Sequence, residues 1–283
     1  MAGLTDLDLA AEHVDAVVKN YALQEFKMLP LCSIISTKAD KNTYYDETDS
    51  DLLKTTTTGI TATSLSKSPR GAEFNAVHPS WTKVSEYPSK HTAKAVILWE
   101  DTIVDALPVV ARTLLRVTRA IAKSVDTVCI AELNTTTNTS ASSATWDNAD
   151  ASLRNPKYDI LTAIEGMEID NWDVLANNGY IVMHPTNKKE CLSNGSMGDS
   201  YENIVTEKGR QERLLGLKLI STIAQTENTV TLGIDKVALA WYEVSPLKTD
   251  TQIRAGIDYA ISAWMYGVPA LINNNAAYKL TGC

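Results

Sequence analysis

Apolar and polar side chains alternate along Ile257-Asp-Tyr-Ala-Ile-Ser-Ala-Trp-Met-Tyr-Gly-Val-Pro, near the end of the chain. Ile257, Tyr259, Ile261, Ala263 and Met265 fall on one side, and Asp258, Ala260, Ser262, Trp264 and Tyr266 on the other. Period two over so many positions predicts a strand with two chemically different faces. A different period governs Asp101 to Asn134. There Leu107, Val110, Leu114, Val117, Ile121, Val125 and Val128 recur at intervals of three and four. At about 100° per residue they form one apolar stripe of a long helix. Arg112, Arg116, Arg119 and Lys123 share that spacing on the opposite side. Pro108 belongs in the first turn or kinks the helix there.

Weaker patterns fill the rest. Leu7, Ala11, Val14, Val18 and Phe26 have broadly helical spacing within Leu4 to Met28, and Pro30 ends it, which predicts an arm or a docked helix. From Ser36 to Ala93 the chain is rich in Thr, Ser, Lys and Asp, with Thr55-Thr-Thr-Thr-Gly-Ile-Thr-Ala-Thr-Ser at its middle. Threonine favours extended backbone, and Tyr44, Tyr45, Phe74 and Trp81 punctuate the run. A long, sparsely packed β-hairpin is expected, which needs a neighbouring subunit to lie on. The polar run Asn134-Thr-Thr-Thr-Asn-Thr-Ser-Ala-Ser-Ser-Ala-Thr reads as a low-complexity loop. A second helix follows from Tyr158 to Ile169. Next come a buried strand from Tyr180 to His184, stopped by Pro185, and a short helix from Asn187 to Leu192. Ser193 to Ser200 reads as a flexible turn. Leu215 to Ser221, Thr229 to Ile234 and Lys236 to Val244 read as strands.

Composition narrows the classes. At 283 residues, 44% hydrophobic and 21% charged, the chain has the make-up of an ordinary soluble globular protein of one large domain or two modest ones. The net charge of −8 argues against a general nucleic-acid binder. No apolar run reaches membrane-spanning length, and the acidic start lacks a secretory signal, so a cytosol-like compartment is expected. Cys32, Cys129, Cys191 and Cys283 are far apart and form no C-x-x-C pair, so buried or incidental thiols are expected.

Candidate chemistry is sparse. His13, His78, His91 and His184 have no partner at helical spacing. His78-Pro79 and His184-Pro185 read as loop histidines before a proline turn. No G-x-S-x-G elbow, P-loop or G-x-G-x-x-G occurs. Glu47/Asp49 and Glu165/Glu168 read as surface charge. The expectation is no catalytic residue, no cofactor and no metal. A hydrolase with a non-local triad stays open as a third reading.

The order of elements resembles the major capsid proteins of tailed phages and related archaeal viruses, the Hong Kong 97 type of capsid fold. The pieces that carry the resemblance are the helix before Tyr180-Ile-Val-Met-His-Pro, the run Leu214-Leu-Gly-Leu-Lys-Leu-Ile-Ser, and the closing Asp258 to Pro269 stretch. In the second of these, such proteins carry a Gly inside a strand. The resemblance implies an α+β fold with an N-terminal arm (1–35), an extended β-hairpin loop (36–98) and a peripheral domain with the spine helix (99–155). An axial domain (156–245) and return strands of the peripheral domain (246–283) complete it. It also implies a subunit that assembles with itself into pentamers and hexamers of an icosahedral shell, located in the virion and built in the host cytoplasm. Double-stranded DNA is the expected content, and separate scaffolding and portal proteins the expected partners, with no membrane. An encapsulin-like shell around cargo enzymes is the alternative. In capsids of this type the spine helix runs along the interior side, so Arg112, Arg116, Arg119 and Lys123 are the residues expected to face nucleic acid. Met1 to Met28 reads as an arm that stays unprocessed. Lys54, Lys67 and Asn273 to Asn275 invite thought of an isopeptide crosslink, but no spacing selects a pair.

Overall fold

The computed structural model describes residues 16–19, 25–47, 81–100, 109–170, 172–206, 209–254 and 257–283. The strands are β1 (Ser33–Ser36), β2 (Asn42–Glu47), β3 (Trp81–Glu86), β4 (Ser89–Leu98), β5 (Thr139–Ala141), β6 (Gly179–Met183) and β7 (Tyr201–Thr206). They continue as β8 (Gly209–Leu214), β9 (Leu217–Ser221), β10 (Thr229–Ile234), β11 (Leu239–Arg254), β12 (Asp258–Leu271) and β13 (Ala277–Thr281). The α-helices are α1 (Val109–Leu133), α2 (Pro156–Ile169) and α3 (Pro185–Ser193). Two compact units share them. The first takes residues 1–42, 86–130 and 241–270, and the second 43–85, 131–240 and 271–283.

In the first unit a four-stranded sheet runs β1-β11-β12-β4. β12 pairs antiparallel with β4, from Asp258 opposite Leu98 to Gly267 opposite Ser89. His91 Nδ1 lies 2.8 Å from the Ser124 hydroxyl of α1, so His91, Ala93, Ala95 and Ile97 are on the helix-facing side. Their partners Met265, Ala263, Ile261 and Tyr259 share that face. The alanines leave room for the helix, whose Leu114, Val117, Ile121 and Val125 are all buried. Burying each such side chain is worth about 1.5–3 kcal/mol. Burial alternates along β12 from Ile261 to Tyr266, whereas at its start Asp258 and Ala260 are buried and Ile257 is exposed, against the expected faces. From Gly267 to Leu271 every residue is buried, as in a strand covered on both faces.

The second unit is built on a seven-stranded sheet, β5-β13-β10-β6-β9-β8-β7. β6 sits at its centre, antiparallel to β10 and parallel to β9, and all five of its residues are buried. α2 covers the face that carries Tyr278, because a methyl group at Gly166 would fall 2.5 Å from the Tyr278 ring. Leu232, Ile181 and Leu219 continue that row by register. β2 and β3 form a separate two-stranded ladder at the base of the expected hairpin. Residues 48–80, including Lys54, Lys67 and His78, lie outside the described residues. So do Pro108 and most of Leu4 to Phe26.

Several expectations change. Gly216 does not sit inside a strand. Leu215 (φ 51°) and Gly216 (φ 81°) form the two-residue turn between β8 and β9, where both central residues need positive φ. The strand expected to begin at Lys236 begins at Leu239, because Lys236 (φ 59°) belongs to a turn. It then runs on to Arg254. The low-complexity loop holds β5, which pairs in parallel with β13. The turn at Ser193 to Ser200 contains a 3-10 helix, Gly195–Ser200, anchored by the buried Met197. β13 belongs to the seven-stranded sheet, and residues 131–155, which include the last turn of α1, fall in the second unit. The reason is long-range pairing: β13 hydrogen-bonds β10, with Thr229 opposite Thr281, which no local pattern encodes.

Close packing around β6 makes a direct test. A methyl group at Gly179 would lie 2.4 Å from Val174 Cγ1 and 2.7 Å from the Val174 carbonyl oxygen, a contact with backbone that cannot rotate away. Gly179→Ala should therefore cost about 1–3 kcal/mol. Gly195→Ala meets nothing within 4 Å and should be nearly neutral. Thermal unfolding of the two variants side by side checks the contrast.

Candidate nucleic-acid interface

α1 runs for 25 residues with no glycine or proline to interrupt it. That regularity carries Arg112, Arg116, Arg119 and Lys123 on one exposed face, opposite the buried Leu114, Val117, Ile121 and Val125. At 1.5 Å per residue the stripe is about 16 Å long. The four cations are not equivalent. Arg119 Nε lies 2.9 Å from Glu25 Oε1, a surface pair worth at most about 1 kcal/mol. Arg112, Arg116 and Lys123 have no ion-pair partner among the described residues.

Glu25 reaches Arg119 because the arm is tied to the flank of the same helix. Asp126, one turn beyond Lys123's side of α1, is buried and accepts the backbone N–H of Met28 at 2.9 Å and of Lys27 at 3.1 Å. Those N–H groups lead into the 3-10 turn Leu29–Leu31, whose Leu29 N–H also bonds Asp126 and whose Pro30 has no N–H to satisfy. Met28, Leu31 and Cys32 are buried at it. Burial pushes the Asp126 carboxyl above the ordinary aspartate range, and the bonds from Met28 and Lys27 only partly offset it. Sequence reading did not single out Asp126. Its donors lie 98 and 99 residues away, and the only local signal was an acid beside an otherwise cationic face.

The other candidates have structural employment. Cys32, Cys129, Cys191 and Cys283 are free and buried. Burial pushes the Cys191 and Cys283 thiols up to about 12, which suppresses the reactive thiolate. His184 caps α3, its Nδ1 accepting the Thr186 N–H at 3.3 Å. His91 is buried against Ser124 and Ser89 and held below the ordinary histidine value by burial. His13 and His78 lie outside the described residues. Asn273 caps a 3-10 turn by accepting the N–H groups of Asn275 and Ala276. Among the described residues no three His, Cys, Asp or Glu side chains gather as metal ligands, and no helix is long and apolar enough to cross a membrane.

A family model described as "Phage capsid protein" matches residues 83–280, well over half of the chain. No curated protein is a detectable relative by sequence. Among solved structures, the virus-like particle from Pyrococcus furiosus shares the fold with a TM-score of 0.62 and 12% identity, over 95% of this chain and 98% of that one. The mature capsid of bacteriophage PhiM1 does so at 0.61 and 11%, over 90% and 86%. The SrpI encapsulin of Synechococcus elongatus PCC 7942 gives 0.56 and 12%, over 90% and 86%. At such identities the likeness is one of fold.

The buried carboxylate sets a pH dependence with a definite sign. The folded chain holds the Asp126 proton more tightly than the unfolded chain does. Its contribution to stability is therefore complete below the unfolded value and is lost as pH rises through the folded one. Asp126→Asn should flatten that part of the pH profile. Asp126→Ala leaves the buried Met28 N–H and the part-buried Lys27 N–H without an acceptor and should cost about 1–3 kcal/mol. Denaturant melts of the unassembled subunit in acidic and neutral buffer decide this, and an unchanged slope in the Asn variant would assign the dependence elsewhere.

Proposed function

The chain belongs to the phage capsid protein family, and from that premise we propose that the shell it builds holds double-stranded DNA against the cationic face of α1. The protein is a major capsid protein with the α+β Hong Kong 97 type of fold, a structural component of the virion and not an enzyme. Copies of it assemble into capsid shells. Membership of this family sets the hydrolase reading aside. It also favours a phage capsid over a cargo-packaging shell, since encapsulins share only the fold.

One observation carries the DNA reading. In a chain of net charge −8, Arg112, Arg116 and Lys123 stand exposed and unpaired, among the described residues, along one face of the longest helix. In the reading that the resemblance implies, that helix runs along the interior side of the shell. Each cation that neutralises a phosphate releases condensed counterions, so the contact is salt-dependent and reads no bases. Three contacts per subunit are weak alone. Repeated over every copy in a shell, they offset the repulsion between an acidic wall and the packed genome. Arg119, held by Glu25, serves the arm before it serves the DNA. The same reading gives pentamers and hexamers as the building units and separate scaffolding and portal proteins as partners. The first compact unit then corresponds to the peripheral domain and the second to the axial domain.

The triple variant Arg112→Gln, Arg116→Gln, Lys123→Gln tests this. Shells should form as in the wild type, while DNA-filled particles release their genome at lower temperature and shift less with ionic strength. Unchanged genome retention counts against a role in DNA contact. If empty shells fail to form, the cations pair with acids of a neighbouring subunit instead. Particles that contain a cargo protein and no DNA would restore the encapsulin-like alternative.

A further inference from the structure

α2 is apolar on two sides. Ile160, Ala163, Ile164 and Met167 are buried against the seven-stranded sheet. On its far side Tyr158 (60% exposed), Leu161 (45%) and Ile169 (56%) form a second stripe with Glu165 at i, i+3, i+7 and i+11. Glu168 flanks it, and Leu153 (53% exposed) lies in the 3-10 turn just before the helix. A helix that is hydrophobic on both sides is usually covered on both. In the described chain Tyr158, Leu161 and Ile169 all remain exposed along this outer stripe.

A surface of opposite charge lies elsewhere in the same unit. Arg213 of β8 and Lys218 of β9 are both exposed and stand directly opposite each other in the ladder. Like charges in that position repel. Neither has an ion-pair partner among the described residues, and Glu202, across from Arg213 on β7, makes none with it. The adjoining turn packs Leu175 (54% exposed) against Gly216, where a methyl group would fall 3.1 Å from Leu175 Cδ2. Lys218 pairs with Tyr180 and Leu219 with Ile181. Arg213 and Lys218 therefore lie on the sheet face opposite the one that α2 covers, and towards its other end.

We propose that these two surfaces meet between neighbouring copies of the chain. Glu165 and Glu168 of one copy face Arg213 and Lys218 of the next, while Tyr158, Leu161 and Ile169 pack beside its Leu175. The occupant is a second copy because the acid–apolar stripe and the base–apolar patch are complementary and both belong to this chain. Two different patches meeting head to tail make a heterologous contact, which closes into a ring when the rotations between copies sum to a full turn. The inference rests on the capsid reading and gives that reading a specific ring-forming interface.

Charge reversal tests it. Glu165→Lys with Glu168→Lys, and separately Arg213→Glu with Lys218→Glu, should each reduce ring and shell yield at least about tenfold while circular dichroism and thermal unfolding stay those of the wild type. Mixing the two variants should restore assembly, but only as rings with an even number of subunits. The two copies must alternate, and an odd ring always contains one repulsive contact. Electron microscopy and native mass spectrometry of the mixture read this directly. Normal assembly of either variant alone, or no rescue in a mixture of two folded variants, overturns the interface and leaves the capsid reading intact. Normal shells that lose another virion protein also overturn it, by giving the surfaces to a different partner. A wild type that forms no shell under any condition fails the capsid reading itself.

Discussion

Two carboxylates on α1 position segments that have little core of their own. Asp126 accepts backbone N–H groups from the arm at Lys27 and Met28. Glu132, near the end of the same helix, accepts the Tyr44 hydroxyl at 3.2 Å and the Leu271 N–H at 3.1 Å through one oxygen. Tyr44 belongs to β2, the base of the hairpin, and Leu271 ends β12. Apolar burial brings such elements together without direction, whereas a hydrogen-bonded carboxylate selects one register. Losing a partner would leave a buried charge or orphaned donors, so each contact specifies geometry at least as much as it stabilises.

The same logic turns polar, low-complexity stretches into structure. Thr136 Oγ1 donates to the Ala277 carbonyl, Asn138 accepts the Lys279 N–H through its backbone oxygen, and the Thr281 carbonyl accepts the Ser142 N–H. Asn134 joins Gln225 and Thr231 in a largely buried network, and Lys279 Nζ caps the Asn134 carbonyl at 2.8 Å. Deeper still, Asp159 accepts the Ser143 N–H and the Trp146 indole N–H, both at 2.9 Å, which folds the loop back onto α2. Threonine and asparagine at these positions act as internal acceptors and donors, and solvent exposure is not their purpose.

Charge is distributed to suit a repeating unit. An acidic subunit resists non-specific association, yet it keeps a cationic face on α1 and a separate cationic pair on β8 and β9. Neither is neutralised within the described chain, apart from Arg119. A free monomer leaves these surfaces and the outer stripe of α2 in water. In the readings proposed above, packaged DNA covers the first of these surfaces and a neighbouring copy the other two.

The sequence by itself determined the elements whose signal is periodic and local. The stripe from Leu114 to Val125 with its opposed cations, the alternation of β12 from Ile261 to Tyr266, and the buried β6 before Pro185 were all legible, because side-chain spacing maps directly onto a helix or strand face. The order of those elements was enough to suggest the family. Tertiary structure alone decided where non-local hydrogen bonds go. It placed β13 in the sheet of the second unit, made a strand of Thr139–Ala141, and moved Gly216 from a strand into a turn. It also separated Arg119, paired with Glu25, from three cations that spacing had made alike. Partners such as Asp126 and Met28, almost a hundred residues apart, are joined by the path of the whole chain, and no local pattern of residues records that path.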